Sequence, residues 1–157
     1  MKTLLPTLGI CLTLLVSCGQ QQTADLTHTP VVSVAPAFSP YVSKFQALSV
    51  QEGSAQTISD LSVQFGPIST TNEIGVCETG TNLTPSITVL QSTWEQMTES
   101  EQEVLMFHEL GHCILNRVHV TSLNGDNSPT SIMYPYALDP TIYEANLAAY
   151  QAELFHP

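Results

Sequence analysis

The chain has 157 residues, with three Lys and Arg against fourteen Asp and Glu and a formal net charge of −11. That balance excludes a nucleic-acid binder, whose partner's phosphates call for Lys and Arg, and it disfavours charge-driven docking onto anionic lipid headgroups. The length suits one folded domain, and the low content of charged residues beside many Ser, Thr, Gln and Asn suits an exported protein.

Met1-Lys2 opens the chain with a positive charge, and Leu4 to Val16 is mostly apolar. This stretch is shorter than the about 20 apolar residues of a membrane-spanning helix. It runs into Leu15-Val16-Ser17-Cys18. An ordinary secretory signal ends on small residues and needs no Cys. The tetrapeptide instead resembles the bacterial lipobox, which implies cleavage after Ser17 and a diacylglycerol on the Cys18 sulfur. The chain is then held to a membrane by buried lipid methylenes. Gly19, rather than Asp, follows; by analogy with enteric lipoproteins this implies the outer membrane of the bacterial cell envelope, facing the periplasm or the cell surface. Residues 1–17 are therefore expected to be a lipoprotein signal peptide. Residues 18–36, rich in Gln, Thr, Ser and Pro, are expected to be the lipidated Cys and a flexible or extended tether. The folded domain is expected over 37–157. His28 is expected to be a solvated linker residue.

Ser39-Pro40 reads as a cap followed by a first-turn Pro, with Tyr41, Phe45 and Leu48 at helical spacing and Gly53 as the stop. Leu61, Val63 and Phe65 alternate as in a half-buried strand, broken by Gly66-Pro67. Two more short strands are expected at Ile74–Glu78 and Ser86–Leu90, then Trp94, packed near the next helix. That helix starts at Thr98, whose hydroxyl can form a capping box with Glu101, and its apolar positions include Val104, Leu105, Leu110, Ile114 and Leu115. A polar loop over 120–130 turns at Asn124-Gly125, and a last helix runs from Pro140, capped by Asp139, to about Leu154. The order of elements gives an α+β fold with a small sheet.

The helix carries His108-Glu109-Leu110-Gly111-His112. Two His four residues apart lie one turn apart on a helix, so both imidazoles reach one ion. Glu109 between them stands at the flank of that ion, where it can take a proton from bound water; H-E-x-x-H is the sequence form of a zinc peptidase site. His119 follows, then Ser131-Ile132-Met133-Tyr134-Pro135-Tyr136. This segment resembles the Met-turn of the metzincin metallopeptidases, closest to the matrixin branch, over roughly residues 98 to 136. The resemblance implies a compact metzincin-like domain with small mixed sheet, active-site helix, Met-turn and C-terminal helix. It also implies Zn2+ on His108, His112 and His119, with Glu109 as the catalytic base. The family spaces its second and third His by six residues; here the step from His112 to His119 is seven, and Leu115-Asn116 stands where the family has Gly. Asn most readily takes the left-handed conformation without being Gly, so the helix is expected to turn at Asn116. The alternative third ligand is a Glu of the last helix, Glu144 or Glu153, as in the gluzincins. Gly111 is expected to let another backbone pack close.

Cys77 and Cys113 remain once Cys11 and Cys18 are set aside. In an oxidising compartment the pair reads as a disulfide, the alternative being a buried free thiol. Cys113 adjoins His112, and adjacent helical residues point about 100° apart, so Cys113 faces away from the ion. There is no Cys-containing pro-segment of the matrixin kind. The expected function is a zinc-dependent endopeptidase acting on a peptide or protein substrate as a monomer, with substrate laid along residues 74–78 and Tyr134 or Tyr136 as candidate oxyanion donors. The alternatives are a catalytically silent zinc-binding lipoprotein that offers an interaction surface, and a structural lipoprotein with a chance motif. Metal content discriminates the second, and the presence of Glu109 argues against the first.

Overall fold

In the computed structural model, which describes residues 28–70 and 72–157, a four-stranded mixed sheet and five helices form an α+β domain. The expected signal peptide, Cys18 and the first part of the expected tether lie outside the described residues. No described helix is long and apolar enough to cross a membrane.

The strands are β1 (Val32–Val34), β2 (Leu61–Phe65), β3 (Gly75–Glu78) and β4 (Ser86–Val89), ordered β1-β2-β4-β3. β1, β2 and β4 are parallel, and β3 is an antiparallel edge on β4. The alternation along β2 and β4 buries Leu61, Val63, Ile87 and Val89, with Val63 paired to Ile87 and Phe65 to Val89. β1 lies inside the stretch expected to be tether, so the folded chain begins earlier than residue 37. Three residues with largely exposed side chains leave no apolar pattern to read; backbone pairing with β2 holds them, together with the Val31 N–H donating to Asp60 at 2.8 Å. His28, expected to be solvated, donates through Nε2 to the other Asp60 oxygen at 2.5 Å.

Helix α1 (Ser39–Gln51) buries Val42, Phe45 and Ser49, with Tyr41 and Leu48 packed at the margin. Its N-cap is Phe38, not Ser39, and no side chain caps it. Phe38 is fully buried, its ring 4.8 Å from that of Trp94 and 4.6 Å from that of Phe65, and this packing sets where the helix starts. Trp94 ends the short α2 (Gln91–Trp94). Helix α3 (Glu99–Leu115) opens with the expected capping box: Thr98 Oγ1 accepts from the Glu101 N–H, and the Thr98 N–H donates back to the Glu101 carboxylate. α3 lies against α1 on one side and β3 and β4 on the other. The C-terminal helix divides at Asn146 into α4 (Pro140–Ala145), with the Asp139 carboxylate accepting from the Thr141 N–H, and α5 (Leu147–Phe155). The Asn146 side chain donates to the Ile142 carbonyl, the kind of local bond with which Asn competes against helix. Four helices meet at Glu103 of α3, whose carboxylate accepts from Lys44, Tyr143 and Gln151.

Candidate metal centre

His108 and His112 leave α3 one turn apart, and their Nε2 atoms stand 3.0 Å from each other. α3 ends where Asn116 takes a left-handed conformation, φ 54°, and the Arg117 N–H closes onto the Gly111 carbonyl at 2.9 Å. The chain then folds back, so that His119 Nε2 comes within 3.2 Å of His108 Nε2. The three ligand atoms all lie within 4.8 Å of one another. Neither Glu144 nor Glu153 joins this group.

The ring tautomers follow from the second nitrogens. His108 Nδ1 is 2.8 Å from the Ile132 carbonyl, and His112 Nδ1 is 2.7 Å from the Arg117 carbonyl. A carbonyl only accepts, so each Nδ1 carries the hydrogen, and the neutral rings point Nε2 lone pairs at one another. Two acceptors at 3.0 Å cannot bond to each other, whereas a cation between them turns the repulsion into ligation. Tetrahedral zinc with Zn–N of about 2.0–2.1 Å sets its nitrogens about 3.4 Å apart, a few tenths of an ångström from the His108–His112 and His108–His119 separations. Burial pushes the His108 pKa down to about 4, partly opposed by the Ile132 carbonyl, and burial lowers that of His112 as well. Both rings are thus kept neutral, the form that binds metal. The donor set fits a three-His ion site.

The turn at residues 131–134 lies against the helix at Gly111. Ser131 Oγ accepts from the Met133 N–H at 3.0 Å, the Tyr134 N–H donates to the Ser131 carbonyl, and the Met133 carbonyl accepts from the Val120 N–H at 2.9 Å. The loop bearing His119 is thereby tied to the loop that orients His108. Gly111 is explained here. A Cβ on it would stand 2.5 Å from the Met133 sulfur and 3.3 Å from Leu154, so the close neighbour is a side chain and not the backbone expected.

Glu109 is only 5 % exposed, set against the start of β3. A Cβ at Gly75 would lie 2.9 Å from its Oε1, so Gly75 is what lets the carboxylate reach its place. Burial, reinforced by the nearby Glu73 carboxylate and opposed by the Cys77 N–H, raises its pKa to about 7. A cleft of about 860 Å3 takes in the three His, Glu109, β3, Tyr134 and Tyr136. Cys77 of β3 and Cys113 of α3 form a disulfide, with Cα atoms 5.7 Å apart, which pins this wall to the helix.

Three contributors escaped the sequence reading. The carbonyls of Ile132 and Arg117 carry no side-chain signal. Glu153, weighed in the sequence as an alternative third ligand, accepts from Arg117 and Ser131, both at 2.5 Å, and so braces the loops under the site. Its only sequence signal was an acidic residue on the last helix opposite the chain's few cations. No protein-family model, curated protein or solved structure matches the chain.

Proposed function

We propose that this protein is a zinc-dependent endopeptidase of metzincin-like type, carried on the cell envelope as a lipoprotein. The observation that carries the reading is the convergence of three imidazole Nε2 atoms beside a buried carboxylate, with two ring tautomers set by the Ile132 and Arg117 carbonyls. His108, His112 and His119 would hold the ion. When bound, zinc polarises the scissile carbonyl and lowers the pKa of water toward about 7.

Everything else falls to the chain's own groups. Glu109, with its pKa raised to about 7, is matched to accept a proton from water near neutral pH and return it to the departing amine. β3 offers the unpaired edge of the sheet along the cleft, where an extended peptide can add as a further strand. Tyr134 and Tyr136 line the same cleft, and their hydroxyls are available as donors to a developing oxyanion. The lipobox-like Leu15-Val16-Ser17-Cys18 supports an anchor on Cys18. From Cys18 to His28 the backbone spans at most about 35 Å, so the domain would work close to its membrane.

The test is metal analysis beside cleavage of a peptide library by the wild type and by Glu109→Ala. Stoichiometric zinc in both and cleavage by the wild type alone are expected. A protein free of zinc, or equal cleavage by the variant, overturns the proposal.

A further inference from the structure

The walls of the cleft are unevenly charged. Glu73, Glu101 and Glu109 line it, and Arg117 is the one Lys or Arg among its described lining residues. Arg117 does not offset them: its side chain is 8 % exposed and donates to the Glu153 carboxylate at 2.5 Å and to the carbonyls of Glu153 and Leu154. Glu101 is engaged at the start of α3, where the helix dipole balances part of its charge. Glu73 is exposed at the mouth, its carboxylate accepting from the Thr70 hydroxyl. It lines the same cleft as Glu109.

Between mouth and metal centre the wall is apolar. Val104 and Leu105 line the cleft, and Leu105 meets β3 at Gly75. A side chain entering here finds an apolar passage ending at carboxylates. That profile fits the long stem and terminal cation of Arg or Lys.

The direction of the peptide follows from the strands. Gly75 lies against Leu105 and Glu109, and Cys77 is bonded to Cys113, so β3 and α3 run in the same sense. Antiparallel addition, the more stable pairing, carries the C-terminal half of a bound peptide toward Gly75 and Glu73. We propose that the cleft selects peptides with Arg or Lys on the C-terminal side of the bond held at the histidines, the stem lying along Leu105 and the cation meeting Glu73. The inference rests on the reading of this cleft as a peptide site.

The test is binding to zinc-loaded Glu109→Ala, which removes hydrolysis from the measurement. Peptides matched except for Arg or citrulline at that position differ in charge and hardly in shape. Arg should bind about fivefold tighter at low salt, the upper range for a rim ion pair, and less so at high salt. Adding Glu73→Gln should bring the ratio near one, and Glu73→Lys should invert it. Equal binding of Arg and citrulline peptides, or a preference that survives Glu73→Lys, overturns the inference. Cleavage is measured separately on otherwise wild-type protein. A charge preference in binding without cleavage defeats the peptidase reading alone, and cleavage without preference defeats this inference alone.

Discussion

His108 and His112 stand on one continuous helix, while His119 stands on a loop whose course depends on contacts far along the chain. The helical half needs only 3.6-residue periodicity and a capped start. Its outer wall is fastened by a covalent bond from β3. The loop half is assembled from the left-handed Asn116, the Arg117–Glu153 pair, the Ser131 turn and the Val120–Met133 bond. Carbonyls of the loop half set both helical rings through Nδ1, so the two halves fail differently. Damage to the helix should abolish chemistry or unfold the wall, and damage to the loops should loosen the metal first.

The largest effect separates chemistry from metal binding. Glu109→Ala removes the base and no ligand, so zinc should stay stoichiometric while kcat/KM falls by about 10²–10⁴-fold. Elemental analysis and peptide kinetics on one preparation check it. Loss of zinc in this variant would mean that Glu109 supports the site's structure.

Breaking the Cys77–Cys113 bond comes next. It closes a loop with a sequence separation of 36, for which the chain-entropy account gives roughly 3–4 kcal/mol. Cys77→Ser with Cys113→Ser should lower urea-unfolding stability by that amount, and the unreduced wild type should show neither thiol to an alkylating reagent after unfolding.

In the loop half, Glu153→Ala leaves a buried guanidinium with carbonyl partners alone and removes the acceptor of Ser131. A cost of about 2–3 kcal/mol is expected, together with faster zinc loss to a chelator. Lys44→Ala is the contrasting control: its side chain is 46 % exposed and Glu103 keeps its bonds from Tyr143 and Gln151, so a loss of about 0–1 kcal/mol is expected. Equal destabilisation by the two would erase the distinction drawn between braces of the site and pairs on the surface.

What could be read in the sequence follows the same division. Regular elements with local signals were legible: the box of Thr98 and Glu101, the alternation of Leu61, Val63 and Phe65, the Asp139 cap and the paired Cys77 and Cys113. β1 was not, because a strand of three residues, two of them exposed, has no periodicity and depends on a partner strand far along the chain. Phe38 displaced Ser39 as the cap of α1 because aromatic burial outweighed the hydroxyl, and the break at Asn146 turned on one side-chain bond. The bracing by Glu153 was hidden for a different reason. Its partners Arg117 and Ser131 are distant in sequence, and an acidic residue on an amphipathic helix reads equally well as solvated surface.

The smallest expected effect tests the hinge between the halves. The eleven-residue step from His108 to His119 is too long for one helix. A continuous rise of about 1.5 Å per residue would set the Cα atoms of His108 and His119 about 16 Å apart, whereas two imidazole arms and an ion span about 13 Å at most. The chain must reverse, and it does so at Asn116 with φ 54° and ψ 31°. Among residues with a side chain Asn enters this region at least cost, Gly enters it freely, and a β-branched residue pays roughly 1–2 kcal/mol. Asn116→Gly should therefore leave thermal stability and zinc affinity close to wild type. Asn116→Val should lose about 1–2 kcal/mol and bind zinc more weakly, because relief of the strain moves the Arg117 carbonyl from His112 and carries His119 with it. The two variants are compared by chelator competition at one protein concentration. If Asn116→Val binds zinc as tightly as Asn116→Gly, the hinge does not set the third ligand, and the loop half is positioned by the Met-turn and Glu153 alone.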